Sequence, residues 1–175
     1  MKKLFILTLA VLSLVACEQA NQPAAATETQ QSTQMQQPVK TQKVQVSRNY
    51  LLPIEKYNFN EKINEKPVVI AFMAGFCGWC KKMVPYMDEL AGKVPSYKAD
   101  VIIGFMDDNA KSLSSLDPVK NTKNISIYYG ASPLMQQHGV NSFPTIMLFK
   151  NGKLVETWRG YSPDHVQSIL NRLED

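Results

Sequence analysis

The sequence predicts an α/β fold, and three segments in chain order carry the prediction. Two short apolar runs, Pro67–Met73 and Val101–Met106, contain β-branched residues and resemble strands that are buried on both faces. Between them, from Trp79 onward, apolar residues recur at spacings of three and four, which is typical of a helix with one buried face. Because a strand, a helix and a strand in this order usually form a parallel unit, we expect the two strands to be neighbours.

The elements that follow are predicted from their terminal residues. Ser132-Pro133 is expected to begin a short helix, with serine as the N-cap and proline in the first turn, and Gly139 to end it. Thr145–Lys150 is a third apolar strand. The dipeptide Asn151-Gly152 after it is typical of a two-residue hairpin turn, which leads into a strand over residues 153–158.

The C-terminal segment predicts a final amphipathic helix. Ser162-Pro163-Asp164 has the composition of a helix N-terminus. The apolar residues expected on its buried face are Val166, Ile169, Leu170 and Leu173.

Composition and charge exclude several classes of protein. The chain has 175 residues, of which 45% are hydrophobic and 19% charged, as expected of one globular domain. The formal net charge is +4, and no cluster of Lys and Arg interleaved with aromatic residues occurs, so nucleic acid is not an expected partner. The three cysteines are too few for a disulfide-rich scaffold, so each needs its own explanation.

The N-terminus has the pattern of a targeting segment. Lys2 and Lys3 precede the apolar run Leu4–Val15, which is shorter than the roughly 20 residues of a membrane-spanning helix. The run ends in Leu14-Val15-Ala16-Cys17, which resembles the lipobox of bacterial lipoproteins. The resemblance implies cleavage after Ala16 and acylation of Cys17; the alternative is an ordinary secretory peptide with a chance cysteine.

Three regions follow from this pattern and from a change in composition. Residues 1–16 are predicted to be a lipoprotein signal peptide. Residues 17–48 comprise the lipidated Cys17 and a flexible tether rich in Gln, Ala and Thr, because such a segment cannot bury enough apolar surface to fold. Residues 49–175 form the folded domain. The expected location is the periplasm, and Glu18, in place of an aspartate that resembles an inner-membrane retention signal, favours the outer membrane.

The motif that carries chemistry is Cys77-Gly78-Trp79-Cys80, between the first strand and its helix. The positive end of the helix would stabilise a thiolate at Cys77, and Gly78 permits a tight turn. Redox chemistry competes here with a structural disulfide, half a zinc site or a soft-metal site. Zinc usually needs four ligands, and no second CxxC or spaced pair of histidines occurs, so we predict no bound metal.

The segment Val140–Thr145, together with the CxxC motif, the Asn-Gly hairpin and Gly160, resembles the thioredoxin family. The resemblance covers residues 67–106 and 132–175. It implies a thioredoxin-like fold, in which helices flank a central mixed β-sheet, with an insertion at about 107–131. It also implies a cis peptide bond before Pro144, which would face the CxxC motif, and a backbone at Phe143 that pairs with a bound substrate chain.

Several residues depart from the family pattern. Trp79 replaces the spacer proline, a change that makes family members less strongly reducing, and it is expected to be exposed where it can contact a substrate. Ala71 occupies the position of a buried aspartate that helps deprotonate the second cysteine, and Gly104 the approximate position of its lysine partner. The candidate substitutes for the aspartate are a water, Asp107, Asp108 and Lys81.

The remaining features have less specific explanations. The insertion contains a candidate strand, Ile125–Tyr129, and is either a partner surface or an inert addition. His138 and His165 are expected to be ordinary surface residues. The methionines, which include Met83 and Met87, are better explained by packing in the core than by copper binding.

The family resemblance implies a thiol–disulfide oxidoreductase that acts on protein disulfides without a cofactor. Cys77 would attack and Cys80 would resolve the mixed disulfide. A reductase is favoured; the alternatives are a disulfide oxidase or isomerase, a Cu(I)-binding or other metal-binding lipoprotein of this fold, and a lipoprotein without catalytic activity. The expected partners are protein substrates with disulfides, a membrane electron donor of the thiol reductase type and the membrane itself through the lipid on Cys17. The protein is expected to be a monomer.

Overall fold

The computed structural model describes residues 50–175. The predictions on the signal peptide, on Cys17 and on the tether lie outside these residues. The strands are β1 (Tyr50–Pro53), β2 (Val68–Met73), β3 (Asp100–Phe105), β4 (Ser126–Tyr129), β5 (Thr145–Lys150) and β6 (Lys153–Arg159). The helices are α1 (Phe59–Glu65), α2 (Gly78–Lys93), α3 (Ala110–Ser114), α4 (Asp117–Lys120), α5 (Ser132–Gln137) and α6 (His165–Glu174), and a 3₁₀ turn spans Ile54–Tyr57.

The described strands form one six-stranded sheet in the order β1-β4-β3-β2-β5-β6. The first four strands in this order run parallel to one another, and β5 pairs antiparallel with both β2 and β6. The predicted parallel pairing of β2 with β3 is therefore confirmed, and so is the thioredoxin-like α/β fold with a mixed central sheet.

Helices cover both faces of the sheet. One face packs against α2 and α6, which contribute Met83, Met87, Leu90, Ile169 and other buried side chains to a common core. The opposite face packs against α1 and α5, where Phe59, Ile63 and Met135 are buried. Since both faces are covered, the central strands are apolar on both sides, as their sequences predicted.

The β5–β6 hairpin has the predicted turn. Asn151 and Gly152 both have positive φ angles, 52° and 74°, as a two-residue turn that matches the strand twist requires. The Gly152 N–H donates to the carbonyl of Ile63 at 2.7 Å, so the turn is also tied to α1. Sequence reasoning did not predict α1.

The insertion contributes an interior strand. Its β4 confirms the candidate strand at 125–129 and lies between β1 and β3, parallel to both. The short helices α3 and α4 precede it and bury Leu113 and Val119 in the α2 face of the core. The insertion is thus part of the sheet. Neither of the two alternatives, a partner surface or an inert addition, had predicted this role.

One predicted helix start is wrong by a residue. Ala131, and not Ser132, is the N-cap of α5, and the Ser132 hydroxyl donates instead to the carbonyl of Met106 at 3.0 Å. The serine side chain therefore joins α5 to the end of β3. The end of the helix is as predicted, since Gly139 follows it with a φ of 65°.

Candidate active site

The CxxC motif lies where β2 ends and α2 begins. Cys77 is the N-cap residue of α2, and its Sγ accepts a hydrogen bond from the Cys80 N–H at 3.1 Å. Both thiols are free; Cys77 is half-buried and Cys80 is buried. One sulfur is thus accessible at the positive end of a helix, and the other lies one turn further along, inside the protein.

Burial gives the two cysteines different chemistry. Removal from water raises the pKa of the Cys80 thiol to about 12, and the hydrogen bond with Cys77 adds to the effect. Cys80 is therefore a protonated thiol at neutral pH. It must lose that proton before it can act as a nucleophile.

Cys80 lies in an apolar part of the core. Cys80 belongs to the same buried cluster as Ala71 on β2 and Ile103 on β3, which are direct partners in the sheet. Gly104, which the resemblance gave as the approximate position of the lysine partner, pairs with Phe72 and lies close to Ala131 on the α5 side of the sheet. A residue at this register position faces the opposite side of the sheet from Ala71.

The cis-proline segment lies beside the loop that precedes Cys77. The Phe143–Pro144 peptide bond is cis, as the resemblance implied, and Pro144 is buried. The ring of Phe143 lies edge-on to the ring of Phe76, with 6.5 Å between their centroids. Phe76 itself is 75% exposed. The two aromatic rings thus form an apolar surface next to the motif.

Trp79, inside the motif, belongs to an aromatic cluster with Tyr86 and Tyr161. Trp79 is 56% exposed, as predicted, and stacks on Tyr161 with 5.6 Å between centroids. Tyr86 meets Tyr161 edge-on at 5.9 Å, and the Lys82 ammonium lies 4.4 Å from the Trp79 ring centroid. Sequence reasoning missed all three neighbours of Trp79. Only the fold brings Tyr161, the residue after Gly160, to the CxxC helix. Lys82 and Tyr86 are three and seven positions after Trp79 on α2, so helical spacing was the signal that could have found them.

The three side chains that could replace the missing aspartate lie in different surroundings. The Asp107 carboxylate accepts a hydrogen bond from the Gly75 N–H at 2.8 Å, two residues before Cys77. Asp108 is exposed, and Lys81 is half-buried on α2. Of the three, Asp107 is the one bonded to the loop that carries the motif.

His138 is not an ordinary surface residue. Its ring packs edge-on against Phe59 and Phe149, with centroid separations of 5.6 and 4.9 Å. Its Nε2 atom is buried and has no hydrogen-bond partner among residues 50–175, and burial lowers the pKa of the ring. His165 is half-buried, and its Nε2 lies 3.2 Å from the carbonyl of Gly160.

Two properties of residues 50–175 bear on metal binding and on membrane insertion. Among them, no group of three or more His, Cys, Asp or Glu side chains is placed to hold a metal ion. In the same part of the chain, none of the helices has the length and apolar character needed to cross a bilayer.

Comparison with known proteins identifies the family. The thioredoxin family model matches residues 50–128. The chain is 31% identical, over 107 residues, to a thioredoxin of Alicyclobacillus acidocaldarius; the match covers 61% of this chain and 80% of that one. It is 27% identical to a protein disulfide-isomerase of Datisca glomerata, over 73% of this chain but only 22% of the length of that relative.

Solved structures share the fold. A putative thiol:disulfide interchange protein, DsbE, from Chlorobium tepidum superposes with a TM-score of 0.53 at 20% identity, over 65% of this chain and 82% of that one. The sheet order, the CxxC motif at the start of α2, the cis-proline and the thioredoxin relatives lead to one conclusion. The chain belongs to the thioredoxin family of thiol–disulfide oxidoreductases.

Proposed function

We propose that this protein reduces disulfides in other proteins by dithiol–disulfide exchange. The observation that carries the proposal is the pair of free thiols, with a half-buried Cys77 at the helix N-cap and a buried Cys80 one turn along. A cysteine at a helix N-terminus is the usual position of a reactive thiolate, and a buried thiol nearby can resolve the adduct.

The proposed reaction has two exchange steps. The Cys77 thiolate attacks one sulfur of a substrate disulfide; the substrate S–S bond breaks, and the second substrate sulfur leaves as a thiolate that takes up a proton. Cys80 then loses its proton and attacks the Sγ of Cys77, which releases the first substrate sulfur as a thiol. Two electrons and two protons pass to the substrate, and Cys77 and Cys80 are left oxidised as a disulfide.

A reductant must restore the two thiols after each cycle. We propose a membrane electron donor of the thiol reductase type, which would transfer two electrons to the Cys77–Cys80 disulfide by the same exchange chemistry. If the protein acted as an oxidase, the same steps would run in reverse. Trp79, in place of the spacer proline, favours a less reducing pair, so oxidase or isomerase activity is the second candidate.

Substrate contact is proposed for the residues that surround Cys77. Trp79 within the motif and Phe76 just before it are exposed aromatic side chains, and Phe143 contacts Phe76. Such side chains bind apolar segments with little loss of side-chain entropy. The backbone of Phe143, before the buried Pro144, would pair with an extended substrate chain.

We also propose that the domain is held at a membrane in the periplasm. The support is the sequence alone: a short apolar N-terminal run that ends at Cys17 in a lipobox-like motif. Two or more acyl chains bind a bilayer stably, whereas a single chain binds only marginally.

The decisive experiment separates the roles of the two cysteines. Cys80→Ser should accumulate mixed disulfides with protein substrates, because the adduct on Cys77 can no longer be resolved. Cys77→Ser should accumulate none, and serves as the matched control. The opposite pattern, or no adduct in either variant, would contradict the proposed mechanism.

The redox potential of the Cys77–Cys80 pair decides whether the protein acts as a reductase or as an oxidase. The protein is equilibrated in glutathione buffers of graded ratio, and the fraction of oxidised Cys77–Cys80 is measured. A potential of about −270 mV supports the reductase, whereas one of about −120 mV supports the oxidase.

A further inference from the structure

The carboxylate of Asp107, two residues after the end of β3, holds the loop between β2 and α2. The Gly75 N–H donates to Oδ2 of Asp107 at 2.8 Å. The approach is so close that a Cβ on Gly75 would lie 2.9 Å from Oδ1 of Asp107 and 3.2 Å from a methyl of Leu113. Position 75 therefore needs glycine for Asp107 to reach the backbone.

Asp107 is itself anchored by the neighbouring strands. Its carbonyl accepts the Gly130 N–H, just after β4, at 2.8 Å. The preceding residue, Met106, donates its N–H to the carbonyl of Met73 on β2 at 2.9 Å. The carboxylate is thus fixed by backbone on both sides, and the insertion supplies one of the two anchors.

The same loop places the nucleophile. The Cys77 N–H donates to the carbonyl of Ala74 at 3.0 Å, which closes a tight turn around Gly75 and Phe76. Any freedom at Gly75 would therefore pass directly to the backbone of Cys77. Small displacements of reacting groups have large effects on intramolecular reactions.

We propose that Asp107 is a positioning residue that holds Cys77 against Cys80 through its hydrogen bond to the Gly75 N–H. The inference rests on the proposed dithiol–disulfide chemistry and assigns to Asp107 a role different from that of the missing buried aspartate. A loop without this bond samples more positions, which lowers the effective concentration of Cys77 at Cys80. The equilibrium constant for forming the disulfide then falls.

The test measures that equilibrium constant against glutathione for the full chain, with folding monitored by circular dichroism. Asp107→Ala removes the acceptor, and Gly75→Ala displaces it by steric contact. In both variants we expect a fall of about ten-fold, or about 30 mV toward a more oxidising pair. Asp107→Asn retains an oxygen for the Gly75 N–H and should stay within about two-fold of the wild type, since only the geometry has to be kept. Asp108→Ala, at the exposed neighbouring carboxylate, is the matched control and should have no effect.

Four other outcomes would contradict one of the two proposals. A folded Asp107→Ala protein with the wild-type equilibrium constant would overturn the proposal. An Asn variant as impaired as the Ala variant would also overturn it, because charge and not position would then be responsible. If neither Asp107→Ala nor Gly75→Ala folded, the contact would serve folding alone. A wild-type protein that forms no Cys77–Cys80 disulfide would instead refute the proposed function.

Discussion

Cys80 shows how the surroundings of one residue shape the proposed reaction. It is buried in an apolar cluster that includes Ala71 and Ile103, neither of which can accept a proton, and burial keeps the thiol protonated at neutral pH. Resolution of a mixed disulfide therefore depends on a base that comes from solvent, from the substrate or from the departing thiolate. A protein with such a resolving thiol would hold its substrate adducts longer than one with a carboxylate beneath the site.

His138 predicts a pH dependence of stability. Because its pKa is lowered in the folded protein, the unfolded chain binds the proton more tightly. The stability associated with neutral His138 is present above the unfolded pKa of about 6.5 and is lost as the pH falls through the lower folded value. Chemical denaturation at pH 7.5 and 5.5 should show a smaller loss of stability for His138→Gln than for the wild type.

The second histidine provides the control for this prediction. His165→Gln should keep the wild-type difference between the two pH values. Charged groups on the elements around His138 include Glu61 and Glu65 on α1 and Lys150 at the end of β5, and all three remain in both variants. An equal pH dependence in wild type and His138→Gln would show that the packed ring makes no contribution.

At the scale of elements, one carboxylate on the CxxC helix binds three consecutive backbone N–H groups of the insertion. Asp88 on α2 accepts backbone hydrogen bonds from Lys123, Asn124 and Ile125, at 3.0, 2.7 and 2.9 Å. The contact is close, since a Cβ on Gly92 of the same helix would lie 2.9 Å from the Asn124 side chain. The segment that leads into β4 is thus held against α2.

Asp88→Ala should therefore destabilise the protein by about 2 kcal/mol, because three backbone donors lose a charged acceptor. Glu89→Ala, one position along the helix, is the matched control. It removes only an exposed ion pair with Lys93 and should cost about 0.5 kcal/mol or less. The measurement is urea denaturation of both variants. Equal effects would mean that the insertion is held by its apolar contacts and not by Asp88.

At the scale of the whole molecule, we expect membrane anchoring and catalysis to depend on different cysteines. Cys17→Ala should move the protein from the membrane fraction to the soluble fraction, because the acyl chains are lost. A chain that starts near Arg48 should retain its thiol activity, since both redox cysteines lie in the domain. Fractionation and an insulin-reduction assay measure the two properties.

The converse variant completes that test. Cys77→Ala should lose activity and remain in the membrane fraction. Loss of activity in a folded chain that starts near Arg48 would contradict the separation. Retention of Cys17→Ala in the membrane fraction would contradict lipid attachment at this residue.

The sequence by itself determined what depends on local pattern. Periodicity predicted β2, α2, β3 and the β5–β6 hairpin, because a buried strand, an amphipathic helix and an Asn-Gly turn each constrain only neighbouring residues. The CxxC motif was found in the same way, and the resemblance to the thioredoxin family correctly implied the cis peptide bond before Pro144.

Only the tertiary structure decided which distant residues meet. Gly75 and Asp107 are 32 positions apart, and Asp88 and Asn124 are 36 apart, so no local pattern connects either pair. The position of β4 between β1 and β3, the face on which Gly104 lies, and the stacking of Tyr161 on Trp79 likewise depend on strand register and helix packing. Strand register and helix packing are set by burial of the whole core, because a shift of one residue would turn every side chain of a strand to the other face.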